Sequence, residues 1–111
     1  ALVVLGAGPY NRTAGPVMDA CLDAKVPYLD FDDDIESTLH ALTLHDTAKA
    51  AGVPMYIGCG ASPGITNVLA ADAVADLATV ENIDAYCVVG DERGSTGRAV
   101  LDHMLRVAAG R

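Results

Sequence analysis

The sequence predicts an α/β fold built on a parallel sheet. Short, nearly continuous apolar runs recur at Leu2–Leu5, Val26–Asp30 and Val53–Ile57, the pattern of strands buried on both faces. Each run gives way to residues that bend or cap the chain, then to a stretch with apolar residues at helical spacing. The third run leads into the richest turn, Gly58-Cys59-Gly60-Ala61-Ser62-Pro63-Gly64. Ligands of open α/β sheets bind where strands end in such turns.

Leu2–Leu5 ends in Gly6-Ala7-Gly8-Pro9-Tyr10, the beginning of a G-x-G-x-x-G pattern whose third glycine position holds Asn11. A G-x-G after a strand is equally the mark of a tight turn. A helix is expected from about Gly15 to Lys25, with Val17, Ala20, Cys21 and Ala24 inward and Asp19 and Asp23 in solvent. The second strand places Asp30 at its C-terminal end. Asp32-Asp33-Asp34 then reads as a helix-capping run, because carboxylates favour the positive end of a helix and this spacing lacks the glycine and distal glutamate of a calcium loop. One helix is expected over about 35–51, with Ile35, Leu39 and Leu42 on an apolar stripe that drifts to Leu44, Ala48 and Ala51, and Gly52 ending it. His40 and His45 are five apart, which does not put two ligands on one helical face. They read as surface residues, and no metal site is assigned.

In the turn after the third strand, the glycines let the backbone bend or approach a ligand. Ser62 reads as an N-cap with Pro63 at the first helical position, leaving first-turn N–H groups for an anion or carboxylate. A helix over about 63–77 packs through Ile65, Leu69, Ala73 and Leu77. Alternation over Ile83–Val89 predicts an antiparallel strand half open to solvent. A polar loop and a last helix, Arg98–Ala109 with Leu101, Met104, Leu105 and Ala108 inward, complete the reading. A boundary near Val80 separates residues 1–80, a parallel α/β unit, from 81–111, the opening of another domain.

The chain has 111 residues and a net charge of −8. That length suits one small domain, and the charge repels a phosphate backbone, so nucleic acid is not an expected partner. No apolar run reaches membrane-spanning length. Cys21, Cys59 and Cys87 are odd in number and far apart in sequence, which argues against a disulfide framework or a zinc site and suits a reducing cytoplasm. Cys21 and Cys87 read as core residues and Cys59 as part of the glycine turn. No histidine lies near Cys59 in sequence to activate a thiolate nucleophile. The start at Ala1, directly before a buried-type strand, suggests that further sequence precedes it.

Four short patterns in order, Ala7-Gly8-Pro9-Tyr10, Ala20-Cys21 through Val26-Pro27-Tyr28-Leu29-Asp30, Ala48-Lys49-Ala50-Ala51-Gly52-Val53 and Gly60-Ala61-Ser62-Pro63-Gly64, resemble those of the saccharopine dehydrogenase-like oxidoreductases. Together they span about residues 2–78. The resemblance implies the C-terminal part of a Rossmann-type parallel sheet, followed by the start of an α+β substrate and dimerisation domain. It implies an NAD- or NADP-dependent enzyme that transfers a hydride at a C–N bond of a small amino-acid-type substrate, and it is compatible with a homodimer. The glycine-rich unit that holds the cofactor's pyrophosphate would then precede Ala1, and the 111-residue chain alone would be inactive.

Under the resemblance, Gly6, Ala7, Gly8, Pro9 and Tyr10 lie at the cofactor. Cys59, Gly60, Ser62, Pro63, Gly64 and Asn67 face the substrate. Asp30 and Tyr10, both at strand ends, are the candidates for proton transfer to or from nitrogen. Lys25 stands where the pattern has glycine, which reads as a surface matter. Ser62 stands where many members have aspartate, which opens a different substrate choice. Two other readings stay open: a non-catalytic protein keeping the fold for regulation or subunit association, and a complete flavodoxin-like ligand-binding domain.

Overall fold

The computed structural model describes residues 1–86 together with Gly97, Leu101, Met104, Leu105 and Ala109. In chain order, the elements are β1 (Val3–Leu5), α1 (Tyr10–Ala24), β2 (Tyr28–Asp30), α2 (Ile35–Thr43), α3 (His45–Ala51), β3 (Met55–Tyr56) and α4 (Ile65–Val74). The strands form one parallel sheet in the order β1-β2-β3. Val3 pairs with Tyr28 and Tyr28 with Met55; one residue on, Val4 pairs with Leu29 and Leu29 with Tyr56. This is the mixed α/β, parallel-sheet class that the apolar runs predict. The strand residues Ile83–Val89 were expected to form are not in a strand at 83–86; 87–89 lie outside the described residues, as does most of 98–109. Leu101, Met104 and Leu105 are helical but exposed, not inward.

Side chains alternate across the sheet, and the two faces differ. Toward the helices, Tyr28 is buried with Ala14, Met18 and Cys21 of α1 and Ala41 of α2, flanked by Val3, Leu5, Met55 and Ile57. On the other face, Val4 is 53% exposed and Tyr56 56%. Burying a side chain such as Met18 is worth roughly 1.5–3 kcal/mol, so this small cluster is the main adhesive of the sheet-and-helix layer.

The helix at α1 begins five residues before the expected start near Gly15, at Tyr10. Pro16 is carried inside it. Proline removes one helical hydrogen bond to the carbonyl four residues back, here that of Arg12. Arg12 and Pro16 are both exposed, so water reaches that side of the helix. The inward stripe is Ala14, Met18 and Cys21 with Val17 half-buried, while Ala20 and Ala24 are exposed. At its end, Lys25 is left-handed (φ 53°, ψ 44°), and the N–H of Val26 donates to the Cys21 carbonyl at 2.9 Å. This is a glycine-type helix stop occupied by a residue with a Cβ. Lys25 is therefore a matter of backbone conformation as well as of surface.

The single helix expected over 35–51 is two. The hydroxyl of Thr43 donates to the His40 carbonyl at 2.6 Å, and the N–H of Leu44 turns to Ala41 O at 3.1 Å. A side-chain donor thus takes the acceptor that the next helical N–H would use. The inward residues of the pair are Ser37, Ala41 and Ala48, whereas Ile35, Leu39 and Leu42 are exposed. Small inward residues allow α2 to pack closely on α1. Gly52 ends α3 in the left-handed conformation (φ 68°) as expected. On α4 no residue is buried; Ile65, Leu69 and Leu77 are exposed, contrary to the expected packing stripe. No helix among the described residues is long and apolar enough to cross a membrane.

The left-handed conformation costs a non-glycine residue about 1–2 kcal/mol. Lys25→Gly should recover much of this, raising the urea midpoint by an amount worth about 1 kcal/mol; an unchanged or lower midpoint would contradict it.

Candidate functional site

All three strands deliver their C-terminal ends to one edge of the sheet, and Asp30 is at its centre. Its side chain is fully buried, at 0% exposure. The hydroxyl of Tyr28 donates to Oδ2 at 2.8 Å, and the N–H groups of Gly58 and Asp32 donate to Oδ1 at 2.7 and 3.2 Å. The Asp30 carbonyl also accepts from the N–H of Cys59 at 2.9 Å. One residue thus ties the end of β2 to the turn that follows β3. Burial, then the hydrogen bond to Asp30, pushes the Tyr28 phenol up, so it stays a donor.

The acidic run continues this pattern. Asp32 is 2% exposed, accepts from the N–H of Asp34 at 2.7 Å and also accepts from the Ser37 hydroxyl. Asp34 caps α2, accepting from the N–H of Ser37 at 3.1 Å, which is the capping role expected of the run. Burial is the main cause that raises the Asp32 carboxyl above the usual range, and the Ser37 hydroxyl opposes it.

The two glycine turns differ in kind. In the turn after β3 the glycines are required by the chain itself. Gly64 has φ +117°, and a Cβ there would lie 2.7 Å from Gly60 N and 2.8 Å from Gly58 O. Gly58 has φ +66°, and its Cβ would sit 3.0 Å from the ring of Pro63. No L side chain fits either position. The first-turn N–H groups of α4 are also taken. Ile65 donates to Gly60 O at 2.9 Å, Thr66 to Ala61 O at 3.0 Å and Asn67 to Gly64 O at 3.1 Å. The expected anion site at this helix start is therefore closed. Ser62 is not the N-cap, and Pro63 is not the first helical residue. Gly64 is the cap, its N–H held at 2.9 Å by Asn67 Oδ1, and the Ser62–Pro63 bond is cis.

The turn after β1 is open. A Cβ on Gly6 would meet only Phe31 Cδ2 at 4.0 Å, and one on Gly8 only Tyr10 N at 3.8 Å. Neither glycine has a left-handed φ. Nothing among the described residues demands glycine at 6 or 8, so their backbone lies exposed with space in front of it. The turn is braced from behind by Thr13, whose hydroxyl donates to Ala7 O at 2.8 Å. Pro9 is the N-cap of α1 and offers no side-chain cap; its carbonyl accepts from the N–H groups of Arg12 and Thr13 at 3.0 and 3.3 Å. Tyr10 is half-buried, and burial together with Asp32, Asp30 and Asp33 raises its phenol, which stays protonated at neutral pH.

Of the residues singled out from the sequence, Gly6, Ala7 and Gly8 form an exposed turn that runs into half-buried Pro9 and Tyr10 at the start of α1. Cys59, Pro63, Gly64 and Asn67 line a cleft of about 640 Å³ between that edge and α4. Gly60 and Ser62 do not line it. Asp30 stands between the two turns but is enclosed, a positioning group in this arrangement with both oxygens engaged. Sequence reasoning passed over Phe31, which is 45% exposed and touches both turns: its ring approaches Gly6 and its backbone carbonyl approaches Gly60. An aromatic residue directly after the strand-ending Asp30 was the available signal. Ser37 and Thr38 were also missed, since helical spacing does not mark a buried serine.

Comparison with protein-family models, with curated proteins and with solved structures finds no match to the chain.

Removing the Asp30 side chain leaves the buried Tyr28 hydroxyl and the half-buried Gly58 N–H without their partners, each costing about 1–3 kcal/mol. Asp30→Ala should thus destabilise by about 3–5 kcal/mol in urea unfolding. Asp30→Asn should cost clearly less, because its amide oxygen still accepts at Gly58 and the Tyr28 hydroxyl can turn to accept. Equal losses would show that the carboxyl is not the tie.

A raised carboxyl pKa means that the folded chain holds the Asp32 proton more tightly than the unfolded chain. The stability this contributes is present below about pH 3.8, the ordinary value, and is lost as pH rises through the folded pKa. Asp32→Asn should therefore flatten the decline in unfolding free energy above that pH. A parallel decline in parent and variant would refute the assignment.

Proposed function

We propose that the protein is an NAD- or NADP-dependent oxidoreductase of the saccharopine dehydrogenase type, acting at a C–N bond of an amino-acid-derived substrate in the cytoplasm. The observation that carries the reading is the Gly6–Tyr10 turn: two glycines that the fold does not require, exposed at the ligand-binding edge of a parallel sheet. A flat ring and a sugar fit against such a backbone, and a side chain at either position would fill that space. Asn11 in the third glycine position, with the Arg12 and Thr13 N–H groups already bonded to Pro9, makes the turn a poor cradle for a pyrophosphate. The reading therefore assigns Gly6, Ala7, Gly8, Pro9 and Tyr10 to the nicotinamide half of the cofactor. The strand order β1-β2-β3 is that of one half of a Rossmann-type sheet, which further supports the reading.

The nicotinamide supplies or accepts the hydride when bound. The protein's part is to hold the reacting carbons in line and to manage the proton on nitrogen. The reading keeps Tyr10 as the candidate beside the nitrogen, as a hydrogen-bond donor: burial, Asp32, Asp30 and Asp33 raise its phenol, so it holds its proton at neutral pH. Asp30 acts through others, holding the turn after β3 at a fixed distance from the end of β2.

Nicotinamide mononucleotide, NAD and NADP titrated into the ¹⁵N-labelled chain should shift the amide signals of Gly6, Gly8 and Tyr10. Gly8→Val should weaken binding by roughly tenfold, a loss of about 1.4 kcal/mol, without lowering the thermal midpoint. If none of the three nucleotides moves these signals either in this chain or in one extended upstream by the expected glycine-rich unit, the oxidoreductase reading fails and a non-catalytic module takes its place.

A further inference from the structure

Phe31 is the chain's one phenylalanine, and the fold leaves it outside the core, 45% exposed, directly after β2. Its neighbours on both sides are enclosed, Asp30 at 0% and Asp32 at 2% exposure. The backbone between them is held. The N–H of Asp32 donates to Asp30 Oδ1 at 3.2 Å, and the Asp30 carbonyl accepts from the N–H of Cys59 at 2.9 Å. The Phe31 side chain therefore leaves a fixed stretch of chain, at the edge where the parallel strands end and ligands of such sheets bind.

Glycine keeps the space beside this side chain clear. A Cβ on Gly6 would lie 4.0 Å from Phe31 Cδ2, and one on Gly60 would lie 3.7 Å from Phe31 Cβ. A side chain at position 6 would thus start in contact with the ring and take the space next to it. With glycine there, the ring stands beside bare peptide, and Gly6, Ala7 and Gly8 are all exposed. An aromatic ring next to a strip of backbone with no side chain larger than a methyl group accepts a flat group better than a branched one. Stacked rings gain from dispersion and from the opposed charges of their faces and edges. A phenyl face is electron-rich and favours an electron-poor or positive partner. Asp30, Asp32, Asp33 and Asp34, which flank Phe31 in sequence, favour the same sign. Of the two flat rings in the cofactor, the oxidised nicotinamide is the one that carries positive charge.

We infer that Phe31 is the platform against which the nicotinamide ring stacks at the Gly6–Gly8 turn. The inference rests on the assignment of that turn to the cofactor and deepens it. Phe31 sets the plane in which the ring lies and covers one of its faces, leaving the other for the substrate.

The test uses Phe31→Leu, which keeps apolar bulk and loses the ring, and Phe31→Trp, which keeps a ring and gives the chain its only tryptophan. Nicotinamide mononucleotide is titrated into parent and variants, both as this chain and as the chain extended upstream. 1-Methylnicotinamide serves as the ring alone, and AMP as the other flat ring of the cofactor. Phe31→Leu should weaken mononucleotide binding by roughly three- to tenfold with an unchanged thermal midpoint. Phe31→Trp should bind as the parent does, and its fluorescence should be quenched by both nicotinamide compounds and not by AMP. Binding by the leucine variant equal to the parent's overturns the inference, as does quenching by AMP to the same degree. Absence of quenching by either nicotinamide compound overturns it as well; if the Gly6 and Gly8 amide signals still respond to the nucleotides, the oxidoreductase reading stands without the platform. Quenching by 1-methylnicotinamide while NAD and NADP leave those amide signals unmoved upholds the platform and removes the dinucleotide from the reading.

Discussion

The structure depends on the buried side chain of Asp30. The sheet itself supplies little cohesion at this edge, since β2 and β3 share only two paired positions. The carboxyl group lets three donors from different parts of the chain converge: the Tyr28 hydroxyl from the core, the Asp32 N–H from the following turn and the Gly58 N–H from beyond β3. A buried polar group is tolerable only when its hydrogen bonds are made, and here the partners are the very segments that shape the ligand edge. Ser37 extends the arrangement into α2 through Asp32, so one polar chain links the sheet, the acidic turn and the helix behind it.

The contrast between the two glycine turns follows from this arrangement. Beyond β3 the backbone folds back on itself, Gly60 bridging to Gly64, and its glycines answer to internal crowding. Beyond β1 the backbone is propped from behind by Thr13 and left clear in front. Glycine content alone would rank the β3 turn as the stronger ligand site. Asking what each missing Cβ would strike reverses that ranking for backbone approach.

Features governed by local chemistry were legible in the sequence. The three strands, the stop at Gly52 and the capping role of Asp34 depend on apolar runs and on residues a few positions apart. Other features depended on groups distant in sequence. Thr43 breaks a helix whose spacing looks continuous, because its hydroxyl competes for the His40 carbonyl. Periodicity placed Ile35, Leu39 and Leu42 on an apolar stripe, but the buried bond from Ser37 to Asp32 turns the opposite, smaller face inward. Ser62-Pro63 has the composition of a helix start, yet the Gly60–Gly64 contact moves the cap to Gly64. At the site, the Gly6–Tyr10 turn was visible from its glycines, whereas the enclosure of Asp30 and the position of Phe31 between the turns required the third strand to be in place.

The Asp30–Gly58 bond joins groups 28 residues apart, with α2 and α3 wholly inside the loop it closes. Closing a loop carries an entropic cost that grows with its length, and parallel pairing across a crossover is among the slower steps of assembly. The order of events follows from this connectivity. Helices α2 and α3, held by local contacts, can form before β3 docks, but the edge that would receive ligands is completed only when Gly58 reaches Asp30. On a growing chain, that moment comes after β3 has been synthesised and freed to pair, so this edge of the sheet is completed late.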